Sequence, residues 1–143
     1  MPTAEQRAVD LLSRTDYGRI ATSMRALPFL AFARHIVSEG RVLLRMPGSC
    51  GYHRACAGGV VAYGSDNLGS ARPGESLWSV QVVGECAAHE PTAAELERFG
   101  PAPLLVDGEP FEPVYLSLRP RFGTVHSTDT GPDGLERHFA STP

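Results

Sequence analysis

The alternation of apolar and polar positions changes period early in the chain. From Ala4 to Ser13, Ala8, Leu11 and Leu12 recur at helical spacing, which predicts a short amphipathic helix. Thr3 stands before it and Gln6 three residues on, the pattern of a capping box. Asp16-Tyr17-Gly18 ends it. From there the period is that of strands: Arg19–Met24 (RIATSM), a turn over 25–28, Phe29–Ser38 (FLAFARHIVS), a hairpin turn at Glu39-Gly40, and Arg41–Met46 (RVLLRM). Gly40 supplies the left-handed residue such a turn needs.

The stretch 47–59 carries four glycines and room for a helical turn around Tyr52–Ala57. A fourth strand starts over Val60–Tyr63. Leu77–His89 (LWSVQVVGECAAH) is the longest strand candidate, set off by a Gly- and Ser-rich loop over 67–75. Pro91-Thr92 opens a helix over Ala93–Phe99, and a Pro-rich connection follows over 100–113. Val114–Leu118 is the last strand, continuing towards Phe122–His126. Six strands with hairpin turns and only short helices predict a mainly β (α+β) fold, a closed or nearly closed antiparallel barrel rather than a βαβ sheet. Residues 1–126 form one domain, and 127–143 a polar tail.

Composition narrows the function classes. A chain of 143 residues with 42% hydrophobic positions supports one core. Net charge is −3 and every Lys/Arg position is Arg, with no concentrated basic face of the kind nucleic-acid binders carry. No apolar run is long enough for a membrane span, and MPTAEQRAVDLLSR lacks the basic start and apolar centre of a signal peptide. Three cysteines, an odd number, suit free thiols in a reducing compartment. The expectation is a cytoplasmic protein that binds neither nucleic acid nor membrane.

Several phrases, in order, resemble a known family. Leu11-Leu12 followed by Gly18-Arg19-Ile20-Ala21, then Leu27-Pro28 before a strand, Val42-Leu43-Leu44-Arg45-Met46 with Gly48-Ser49, Val61-Ala62-Tyr63-Gly64-Ser65-Asp66, and Trp78-Ser79-Val80 with Gly84 together resemble actinobacterial pyridoxamine-5′-phosphate-oxidase-like proteins. The resemblance runs from about Leu11 to about Val125. It implies an FMN-binding split barrel, homodimeric, with the flavin against the second and third strands near the dimer interface. By position it implicates Ala31, Phe32, Ala33 and Arg34 against the ring. Arg45, Met46 and Ser49 fall at the phosphate; Arg54 or Arg34, outside the match, would supply the missing positive charge. A phosphate dianion favours forked Arg donors and a hydroxyl. The family's Thr falls at Met46 and its Lys at Cys50. A deazaflavin would fit the same cleft.

Other residues carry two readings each. Arg45 and Ser49 are phosphate ligands or a solvated strand-end Arg and a turn Ser. Arg34 shares a strand face with Phe32 and Ile36, opposite Ala33, His35 and Val37, and must snorkel, pair or bind an anion. Cys50, His53 and Cys56 follow a Cys-x2-His-x2-Cys spacing with no close fourth ligand for a structural zinc. No metal is therefore expected, and His53 is instead a candidate substrate contact. Trp78 is a second such candidate, or, like Tyr63, a core or interface residue. Cys86 reads as a buried small hydrophobe; His89, His126 and His138 read as surface residues. Glu95, Glu97, Asp107 and Glu109 imply no paired acid–base geometry. Two functions follow: an FMN-dependent oxidoreductase acting on a small organic substrate, or a non-enzymatic dimeric split barrel that has lost or changed its cofactor.

Overall fold

The computed structural model describes residues 1–129. The tail from 130 on, with His138, lies outside the described residues. Helix α1 (Ala4–Leu12) is opened by the full Thr3–Gln6 capping box. Six strands then close a barrel in the order β1-β2-β3-β8-β5-β4. They are β1 (Tyr17–Met24), β2 (Leu27–Ser38), β3 (Arg41–Pro47), β4 (Val60–Asp66), β5 (Trp78–Ala88) and β8 (Pro113–Ser127), all antiparallel. Between β3 and β4 lie a 3-10 turn (Gly48–Cys50) and helix α2 (Tyr52–Cys56); between β5 and β8 lie helix α3 (Ala93–Phe99) and the two-residue strands β6 (Leu105–Val106) and β7 (Glu109–Pro110).

Two expectations change. The turn over 25–28 shrinks to Arg25-Ala26, with Leu27 and Pro28 already paired in β2. Both turn residues have positive φ, 52° and 67°, the geometry of a two-residue type I′ hairpin. The usual Asn or Gly is missing there, so the pattern reads as a longer turn. The connection over 100–113 holds another such hairpin, around Asp107-Gly108 with φ 51° and 80°. Its Asp-Gly pair is a strong hairpin signal.

Alternation decides which side chains fill the barrel. Ile20, Ala33, Val42, Leu44, Met46, Val61, Tyr63, Val80, Val82, Leu116 and Leu118 form the interior, with Cys56 and Cys86. Helix α1 adds Ala8 and Leu12. It approaches β8 so closely that a Cβ on Gly123 would lie 2.5 Å from Glu5 Cα and 2.9 Å from Ala8 Cβ; only glycine lets the helix seat. On β5 the register shifts between Val83 and Gly84, and a Cβ on Gly84 would run into the Arg119 carbonyl.

The barrel is split on one side. β2 pairs with β3 only from Arg34 to Ser38, so from Leu27 to Ala33 its one partner among the described residues is β1. Pro28 sits in this half, where a missing N–H breaks no ladder. Among the described residues no helix is long and apolar enough to cross a membrane.

Candidate functional site

Apart from Trp78, the predicted site residues fall into three places. The first is the outer face of β2 and β3. Arg34 and Arg45 stand directly opposite one another there, a like-charged pair that costs energy unless something negative answers it. The C-terminus of α3 answers it. Arg34 donates from Nε to the Phe99 carbonyl (3.2 Å) and from Nη2 to the Arg98 carbonyl (3.1 Å), and also reaches Asp16. Arg45 donates from Nη1 to the Gly100 carbonyl (2.9 Å) and from Nη2 to the Pro101 carbonyl (3.3 Å). The last carbonyls of a helix lack intrahelical donors and carry partial negative charge, so two guanidinium groups suit them. Beneath the helix end Ile36, Leu43 and Phe99 pack with Tyr115, and the Arg45 guanidinium lies over the Phe99 ring. Arg45 is only 4% exposed. Both arginines spend donors holding α3.

The second place is β2 itself. Ala31 and Ala33 turn inward against the core. Phe32 turns outward and is 57% exposed, next to Leu30 at 66% and near the equally exposed Tyr17 at the start of β1. Met46, where a phosphate-binding hydroxyl was the family pattern, is buried in the barrel interior.

The third place is α2, which brings His53 and Arg54 together and follows Ser49 in the preceding 3-10 turn. A hollow of about 680 Å³ is bordered by His53, Arg54, His89, Glu90, Leu96 and Tyr115, among others. The Nδ1 of His53 is buried without a hydrogen-bond partner among the described residues. Burial, then the neighbouring Arg54 charge, holds the His53 imidazole below its ordinary pKa, so it is neutral at neutral pH. On the same hollow His89 meets Glu95 through Nε2 at 2.9 Å. Glu95 also caps α3 through Thr92, and this backbone bond, with the His89 bond second, lowers its pKa. A second hollow, of about 610 Å³, lies between α2 and the β1–β2 hairpin and again includes Arg54. Arg54 makes no hydrogen bond or ion pair to protein among the described residues.

Trp78 is not brought to this place. It opens β5, whose next residue pairs with Asp66 at the end of β4, whereas α2 precedes the start of β4; the two lie at opposite ends of the barrel. Cys56 is buried in the core and Cys50 half-exposed, and no group of three His, Cys, Asp or Glu side chains able to hold a metal forms among the described residues. Burial raises the thiol pKa of Cys56 to about 11 and of Cys86 to about 12, so neither thiol is a ready nucleophile.

Sequence reasoning left two features unread. His35 is fully buried, its Nε2 2.8 Å from the Leu12 carbonyl and its Nδ1 against the Tyr63 hydroxyl. A carbonyl only accepts, so Nε2 carries the proton and Nδ1 accepts from Tyr63. The alternation that sets His35 opposite Arg34 on β2 was visible; its partner 28 residues away was not. Arg25 borders the second hollow, and no motif marks it.

Residues 4–124 match the family model described as pyridoxamine 5′-phosphate oxidase. Over 82 residues the chain is 37% identical to Uncharacterized protein Rv0080 of Mycobacterium tuberculosis, a match covering 54% of this chain and 53% of that one; the chain spans about half the length of the curated relative it matches. Among solved structures it is similar to an FAD binding protein from Mycobacterium smegmatis (TM-score 0.65, 22% identity, 85% of this chain and 94% of that one). It is also similar to an FAD-binding protein from Mesorhizobium loti (TM-score 0.57, 15% identity, 86% and 94%). A heme binding protein from Mycobacterium smegmatis is a third (TM-score 0.60, 15% identity, 91% and 59%). At these identities the structural likeness establishes the split-barrel fold.

Proposed function

The chain belongs to the pyridoxamine 5′-phosphate oxidase family, and from that premise we propose that it is a cytoplasmic, homodimeric flavin-binding protein, an FMN-dependent oxidoreductase acting on a small organic substrate. The observation that carries the reading is the pairing of family membership with uncommitted donors at α2. Among the described residues Arg54 has no protein partner and His53 Nδ1 no hydrogen-bond partner, and Ser49 is exposed five residues before Arg54. The Arg54 guanidinium and the Ser49 hydroxyl fit an anionic tail, since forked donors and a hydroxyl hold phosphate. A bound flavin would supply the electron or hydride transfer at its ring. The protein's part is to grip the tail at Ser49 and Arg54, to set the outward face of β2 around Phe32 beside the ring, and to offer His53 for contact with substrate. Arg34 and Arg45 join the tail only as far as their donors are spared by α3.

The exposed apolar residues on the open half of the barrel support the dimer. Tyr17, Leu30 and Phe32 form an uncovered strip of the kind that marks an association surface. Three free thiols suit a reducing compartment.

The test is one absorbance spectrum of the purified protein, repeated after incubation with FMN and with a deazaflavin. Flavin bands that stay with the protein through gel filtration support the reading, and whichever pigment is retained identifies the cofactor. Protein that stays colourless with both favours the second reading, a non-enzymatic dimeric split barrel. A specific observation speaks for that alternative: Met46 is 1% exposed in the core, and both strand arginines are engaged by α3.

A further inference from the structure

Another like-charged pair stands at the end of the β3–β8 ladder. Val42 pairs with Leu118, so the antiparallel register sets Arg41, the first residue of β3, opposite Arg119. On its other side Arg119 faces Glu85 of β5. That carboxylate is already engaged, because Arg121 donates to it from Nη2 at 2.6 Å. The guanidinium groups of Arg41, Arg119 and Arg121 thus crowd around one carboxylate, in a chain whose net charge is −3. Like charges directly opposite on neighbouring strands cost stability. Arg34 and Arg45 meet that cost by holding the end of α3. Arg41 and Arg119 have no such answer, since neither side chain makes a hydrogen bond or ion pair among the described residues.

Both arginines border a hollow of about 420 Å³ on the outer face of β3, β8 and β5. Its shape follows from side-chain size: Gly58, Ala87, Ala88 and Ser117 are too small to fill the space between the long arginine chains and His89. His89 is a wall, its Nε2 taken by Glu95. The Ser117 hydroxyl has no hydrogen-bond partner among the described residues. Unmatched positive charge in a concave, partly apolar space draws an anion into it. A guanidinium fork matches the two oxygens of a carboxylate, and two adjacent forks match two carboxylates joined by a short chain.

We propose that this hollow binds a small dicarboxylate, with one carboxylate on Arg41 and the other on Arg119. Its methylene chain lies over Ala87, and the Ser117 hydroxyl donates to one of its oxygens. Ser49, His53 and Arg54 do not border the hollow, so the site does not rest on the flavin reading.

The experiment is calorimetric titration of the full chain with succinate, with succinamide as the uncharged counterpart. Wild type should bind succinate saturably and succinamide not at all. Arg41→Gln and Arg119→Gln should each weaken succinate binding by about tenfold or more, the effect of losing one charge-assisted contact. Glu85→Gln should strengthen it by about fivefold, the effect of removing one like charge a few ångströms away in water. A damaged fold does not gain affinity, so this variant separates charge from structure. All three substituted side chains are exposed, and unchanged melting curves check that the variants fold. The site is overturned by absent binding in wild type, by equal affinity in either arginine variant, or by unchanged or weaker binding in Glu85→Gln. Added FMN should leave the succinate affinity as it was; competition between the two would place the anion in the cofactor's groove and overturn a separate site.

Discussion

Gly18 shows how narrowly a single position can be specified. It lies on β1 where the Tyr63 side chain crosses, and a Cβ there would fall 2.6 Å from the Tyr63 hydroxyl and against the Gly64 carbonyl. Neither neighbour can give way: the carbonyl is backbone, and the hydroxyl is fixed by its bond to the buried His35. Gly18→Ala should destabilise the protein by about 2–3 kcal/mol, the cost of overpacking a close contact, measured as a lower urea midpoint with unchanged slope. The buried His35 sets a pH dependence. Burial, the largest cause, lowers its pKa below the ordinary 6.5 against the opposing pull of the Leu12 carbonyl. Above 6.5 folded and unfolded chains are both neutral at this residue. Below it the unfolded imidazole takes up a proton that the folded one refuses, so stability falls as pH drops from 6.5 until the folded-state pKa is passed. Thermal melts between pH 7.5 and 5 should show this fall, reduced in His35→Gln, with a remainder from His53, which shifts the same way. A slope equal in both proteins would assign the effect elsewhere.

At the scale of elements, α3 is the clearest case of a local signal completed from afar. Thr92 and Glu95 form its capping box, legible as a start signal, and Gly100 follows its end. What the helix rests on was not legible. Its C-terminus docks on Arg34 and Arg45, more than fifty residues earlier in the chain, and those two positions were read from their resemblance as cofactor contacts. The physical reason is that a strand arginine looks the same in sequence whether it answers a phosphate or a helix end. Arg45→Ala should leave the Gly100 and Pro101 carbonyls without their donors and cost about 2 kcal/mol, the range for charge-assisted bonds. Hydrogen exchange should then rise in α3 and stay unchanged in α1. Faster exchange everywhere would mean that the whole fold, not the latch, had failed.

For the whole molecule the open half of the barrel matters most. Among the described residues β2 has no second neighbour from Leu27 to Ala33, and Leu30 and Phe32 stand exposed on its outer face. If this strip is the dimer surface, Phe32→Asp should shift the protein from dimer to monomer in light scattering. Its melting midpoint under conditions where both proteins are monomeric should move little, since exposed substitutions usually change stability by less than about 0.5 kcal/mol. A variant that stays dimeric would move the interface to another face.

Periodicity determined helix α1 and the six barrel strands, because the need to bury one face is written locally in each of them. Capping residues did the same for the starts of α1 and α3. Tertiary structure decided the rest: that Arg34 and Arg45 meet a helix end, that His35 finds Tyr63, that Gly18 must stay bare, and that Arg25 and Arg54 face one cleft. Each of these depends on pairing between distant strands. Closing the barrel sets which side chains share a space, and no local pattern carries that information.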